Sequence, residues 1–138
     1  MNKIIKVSLK ALVLSVILVM LLSGTALANG SADGMEVSPN VINLDSNGGS
    51  FSIHTNIPYS TVMAVSLLAV LADSDIVTIP IYGTFADDRG DLVVKCIIGE
   101  VKELISEGNI IFELTVSTSI SGEPTTYDDT VRVISCGK

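Results

Sequence analysis

Across residues 51–56, Phe51, Ile53 and Thr55 alternate with Ser52, His54 and Asn56. A period of two gives one buried and one wet face, the habit of a strand. Short β-branched runs separated by turn residues recur from Val37 onward, and no stretch sustains the period of a helix. The pattern predicts strands over 50–55, 62–70, 76–82, 92–98, 110–117 and 130–134, with a core that includes Phe51, Ile53, Leu92, Val94, Phe112 and Leu114. Asn47, Gly48 and Gly49, and later Glu107, Gly108 and Asn109, supply the positive backbone torsions of chain reversals. Residues 61–72 contain Met63, Ala64, Leu67, Leu68, Ala69 and Leu71, all good helix formers, but the strand reading suits their neighbours. Residues 100–107 read as a short helix or a bent connection, with Val101, Leu104 and Ile105 spaced for one face.

The first residues follow a different pattern. Lys3, Lys6 and Lys10 precede an uninterrupted run of apolar and small residues over 11–22, and Ala26, Leu27 and Ala28 give the small-x-small signature of a cleavage site. Residues 1–28 therefore read as a secretory signal peptide, too short and too weakly flanked for a membrane anchor. Cleavage after Ala28 leaves Asn29 as the new N-terminus, a polar, glycine-containing lead over 29–36 expected to be disordered, and one domain over 37–138. Losing three lysines and no acid takes the net charge from −7 to about −10. A chain that acidic repels phosphate backbones, so nucleic acid is not an expected partner, and after cleavage neither is a membrane.

Several short segments together carry a resemblance. Val37, Ser38, Pro39, Ile42, Asn43, Leu44, Ser46 and Gly48 open the domain; Gly90, Asp91, Leu92, Val93, Val94 and Lys95 follow; and Asp129, Thr130, Val131, Arg132 and Val133 close it. These resemble a loosely defined immunoglobulin-like module of secreted and surface proteins of bacteria and archaea. The resemblance implies an all-β, antiparallel immunoglobulin-like β-sandwich with an unspecified ligand, and it carries over no catalytic residue.

Cys96 and Cys136 are the only cysteines, and export favours a disulfide between them, which would stabilise the fold by roughly 4 kcal/mol. Parity opposes it: Cys96 shares the inward parity of Leu92 and Val94, whereas Cys136 shares that of Arg132. Two separate thiols are the alternative. Asp87, Asp88 and Asp91 in one loop, with Asp128 and Asp129 in another, could offer oxygen ligands to calcium if the fold joins the loops. Their spacing matches no EF-hand, and aspartates before strands more often cap turns. Arg89, Gly90 and Asp91 spell a tripeptide read by integrins, but three residues recur by chance and a turn explains Gly90 and Asp91. Asn29, Gly30 and Ser31 form a glycosylation sequon.

Catalytic patterns are sparse. The only histidine, His54, falls on the polar face of a strand, and no serine lies in a nucleophile elbow. One histidine and two distant cysteines do not make a zinc site. Carboxylates for a small hydrolase are plentiful, but with no tryptophan, three tyrosines and three phenylalanines an aromatic-lined cleft for a sugar is hard to build. The expectation is a non-enzymatic, exported module without a required cofactor, secreted or at the cell surface, serving binding, adhesion or envelope structure with an extracellular protein or glycan as partner. A two-carboxylate hydrolase and a polymerising surface subunit completed at an edge strand are the alternatives.

Overall fold

A computed structural model describes residues 34–136. The expected cleavage site, the sequon and most of the lead lie outside the described residues. Among the described residues nine strands form two sheets: β1 (Met35–Ser38), β2 (Val41–Asn43), β3 (Ser50–Pro58), β4 (Val62–Val70), β5 (Ile76–Thr78), β6 (Gly83–Ala86), β7 (Asp91–Ile97), β8 (Gly108–Thr118) and β9 (Thr125–Ile134). The first sheet runs β1-β3-β7-β6 and the second β2-β9-β8-β4-β5. Every pair is antiparallel except β2 with β9, which is parallel, so the protein is all-β and mostly antiparallel, as its strand pattern predicts.

Alternation buries Phe51, Ile53, Thr55 and Ile57 along β3 and Ile110, Phe112, Leu114 and Val116 along β8. These inward faces meet in one hydrophobic core, with the rings of Phe51 and Phe112, from opposite sheets, 5.2 Å apart. All six expected core residues are at most 1% exposed. Burial of each such side chain contributes about 1.5–3 kcal/mol, so the shared core holds the two layers together. Thr55 is the one buried polar residue among those described; its hydroxyl donates to the Leu92 carbonyl at 2.9 Å and accepts from the Ile57 amide at 3.2 Å.

The short elements are where sequence and structure part. Met35 and Glu36, assigned to the disordered lead, belong to β1, because Met35 is buried in the core and both residues pair with β3. Strand 76–82 is cut back to β5: Pro80 has no N–H for a ladder, and the chain instead crosses to the other sheet as β6. The short helix or bent connection read at 100–107 is a single helical turn, α1 (Ile98–Val101), that runs into a turn over 102–104; Val101 and Ile105 are buried while Leu104 is 39% exposed. Of the residues expected to supply positive torsions, Gly49 (φ 111°) and Gly108 (φ 127°) do so, and Asn47, Gly48, Glu107 and Asn109 do not.

Candidate functional site

Three turns meet at one end of the sheets. The first is a 3-10 turn, Tyr59–Thr61, between β3 and β4, closed by the Thr61 hydroxyl donating to the Pro58 carbonyl at 2.7 Å. The Tyr59 amide donates to Gly90 O at 2.9 Å, in the β6–β7 turn. The Ser119 amide donates to Thr61 O at 2.8 Å, from the β8–β9 turn. One short turn thus ties both hairpin tips, so their relative positions are fixed by backbone rather than by long side chains.

The β6–β7 tip explains its own sequence. Gly90 N donates to Asp87 O, Asp87 N donates to Asp91 O, and Gly90 takes φ 86°, the left-handed position that a turn of this kind requires. The Asp87 carboxylate accepts the amides of Arg89 at 2.8 Å and Asp91 at 2.9 Å. Chiefly the Asp91 amide, assisted by the Arg89 amide and the charges of Arg89 and His54, holds the Asp87 carboxyl below its ordinary value. Arg89 also lies 3.5 Å from Asp91 and 3.8 Å from Asp87. The Arg89-Gly90-Asp91 tripeptide is therefore folded onto itself, with its acid engaged by its own arginine.

The expected calcium cluster does not assemble. Asp87, Asp88 and Asp91 sit at the β6 side of the first sheet, whereas Asp129 reaches β1 at the opposite edge, where its carboxylate accepts the Val37 amide at 2.9 Å. β3 separates β1 from Asp91, which opens β7, and both β3 and β7 separate β1 from β6. Asp128 points outward, opposite Glu113. Among the described residues no group of three or more histidine, cysteine or acidic side chains is placed to hold a metal.

The disulfide between Cys96 and Cys136 is likewise not formed. Cys96 is buried on β7 in the first sheet, paired with Phe51, while Cys136 is exposed beyond the end of β9 in the second. Its sulfur accepts from the Asn43 amide group at 3.8 Å. Burial, with a smaller contribution from Glu100, pushes the Cys96 thiol up to about 12. His54 is exposed on β3, as its parity indicates.

Two grooves flank the 3-10 turn. One, of about 270 Å³, lies between it and the β8–β9 tip, lined by Asn56, Ile57, Thr118, Ile120 and Tyr127 among others. The other, of about 530 Å³, opens between the sheets on the β4–β6 side, lined by Tyr59, Val62, Met63, Val65, Ile81 and Thr84 among others. Ile120 stands 79% exposed at the tip and Met63 73% exposed. Sequence reading missed this site because its residues carry no catalytic signature; the signal available was the cluster of Pro58, Tyr59 and Ser60 between two strongly β segments. Compared with family models, with curated proteins and with solved structures, the chain matches none.

Proposed function

We propose that this chain is an exported, non-enzymatic immunoglobulin-like module that binds an extracellular protein or glycan through the three-turn end. The strand order supports the fold. Taken as strands A to G, with β1 and β2 as one first strand divided between the sheets, the order reads A-B-E-D opposite G-F-C-C′, the arrangement of immunoglobulin domains. Phe51 and Phe112 lie on the B and F strands, which in antibody domains carry the inter-sheet disulfide. The β3–β4 and β8–β9 turns correspond to two of the loops that variable domains use for recognition.

The observation that carries the binding role is the backbone tie from Tyr59 and Thr61 to the two hairpin tips, beside a groove with Ile120 exposed at its rim. A preorganised end loses little conformational freedom on binding. Glycan and extracellular-protein arrays probed with the exported chain should yield a ligand whose affinity falls at least about tenfold in Ile120→Asp and in Asn56→Ala, both at residues that line that groove. Binding that survives both substitutions but is lost in Leu104→Asp would overturn the assignment. Intact mass of the exported protein should start at Asn29, and a mass retaining residues 1–28 would overturn the secretory reading.

A further inference from the structure

Of the asparagines among the described residues, four precede a branched side chain and one precedes glycine. Asn40, Asn43, Asn56 and Asn109 are followed by Val41, Leu44, Ile57 and Ile110, whereas Asn47 is followed by Gly48. The difference has a chemical consequence. The amide carbon of an asparagine side chain lies within reach of the backbone nitrogen of the next residue, and a branched side chain on that residue crowds the approach. Glycine has no side chain to obstruct it and leaves the backbone freest to turn.

The fold widens this difference. The Leu44 amide donates to Ile134 O at 2.9 Å and the Ile57 amide to the Thr55 hydroxyl at 3.2 Å, while Ile110 lies inside β8 and Val41 opens β2. Asn43 is also held by its side chain, which accepts the Asp45 amide at 3.0 Å and donates to the Cys136 sulfur at 3.8 Å. Asn47 and Gly48 lie in the β2–β3 turn, and both are exposed. Among the described residues neither the Asn47 side chain nor the Gly48 amide has a hydrogen-bond partner. The turn is shaped instead by the Ser46 hydroxyl, which donates to Gly48 O at 2.5 Å, and by Gly49 at φ 111°. A Cβ at Gly48 would meet nothing within 4 Å, so water reaches the reacting atoms.

We propose that Asn47 is a site of spontaneous modification, converted to aspartate and isoaspartate with water as the only co-reactant. The Gly48 nitrogen, having given its proton to hydroxide, bonds to Asn47 Cγ; the Cγ–Nδ2 bond breaks and the side-chain nitrogen leaves as ammonia. Water then adds to either carbonyl of the cyclic imide. Opening the bond between Gly48 N and Cγ gives aspartate, and opening the bond between Gly48 N and the Asn47 carbonyl carbon routes the main chain through the side chain as isoaspartate. No electrons are exchanged, and an amide becomes a carboxylate. The product places a new negative charge two residues from Asp45, and the isoaspartyl form adds a carbon to the main chain of the turn. This turn precedes β3, whereas the 3-10 turn at Tyr59 follows it. The modification therefore leaves the three-turn end intact and loosens the ties at the other end, from Ser135 to Asp45 and from Ile98 N to Gly49 O.

Ageing the exported protein in mildly alkaline buffer, native and in urea, tests this by tandem mass spectrometry, with fragments that separate Asn47 from Asn29, which also precedes glycine. The native chain should acquire an acid at Asn47, in both isomers, while Asn40, Asn43, Asn56 and Asn109 keep their amides. Gly48→Val, at a position with room for the side chain, should abolish the conversion. A native chain that still carries the Asn47 amide when the unfolded chain has lost it would overturn the proposal. So would conversion of Asn43 or Asn56 as fast as Asn47, or a Gly48→Val chain converted as fast as the wild type.

Discussion

On one flank of the molecule β1, β2 and β9 close the gap between the sheets; on the other β4, β5 and β6 leave it open. The closed flank is laced by backbone and by charge. The chain passes from β1 to β2 through two residues, Arg132 N donates to Asn40 O at 3.1 Å and Leu44 N donates to Ile134 O at 2.9 Å. Asp129, from the second sheet, satisfies the Val37 amide on the free edge of the first. The open flank makes the same crossing between sheets through residues 79–82, but of those four only Ile79 is buried and a groove remains beside them. A sheet edge can thus be finished within the chain, by a carboxylate accepting its amides, or left bare.

The sharpest contrast is between the two thiols. Cys136, at the end of the closed flank, should react with a thiol reagent in the native protein, while Cys96, buried and held as the neutral thiol up to about pH 12, should react only after denaturation. Absence of any native reaction would indicate the bridge that the structure lacks. Because the folded value of Cys96 is raised, its ionisation in the unfolded chain erodes stability as pH climbs from 9.0 toward 12, a loss readable in alkaline urea melts.

The two flanks depend on one core, so Phe112→Ala should weaken both, by about 3–5 kcal/mol in urea unfolding. A loss under 1 kcal/mol would mean that the layers do not share that centre. Asp129→Ala should cost about 1–3 kcal/mol, since it strands a part-buried amide. Met63→Lys on the open flank should stay within about 0.5 kcal/mol. Equal costs at the two positions would erase the distinction between the flanks.

The smallest effect belongs to Asp87. Its carboxyl titrates below its ordinary 3.8 in the folded chain, so its contribution is complete above that pH and is lost as pH falls through the folded value. Asp87→Asn should therefore lower stability slightly at neutral pH and flatten the acid limb, so that the variant and wild-type profiles converge as pH falls. A variant profile superimposing on the wild type at neutral pH would contradict the turn geometry.

The long strands were legible because burial and alternation coincide in them: Phe51 with Ile53, and Phe112 with Leu114, mark one face over nine and eleven residues. β1, β2 and β6, of three or four residues, offer too few repeats for any period to show, and β2 joins its sheet only through β9, ninety residues later in the chain. The candidate site escaped for a different reason. Its tie is made by main-chain atoms of Tyr59, Thr61, Gly90 and Ser119, which no side-chain pattern records. Parity did speak for the cysteines, since Leu92, Val94 and Cys96 share the buried face while Arg132 and Cys136 are exposed. The carboxylates misled because composition does not show that Asp87, Asp88 and Asp91 gather at the β6–β7 turn of the first sheet while Asp128 and Asp129 lie on β9 of the second.

Amide hydrogen exchange compares the two flanks directly. Amides on the free side of residues 62–66 and of β6 should exchange faster than those of Val37, Arg132 and Leu44, which are satisfied within the chain. Exchange on the open flank as slow as at Val37, Arg132 and Leu44 would contradict the distinction between the flanks.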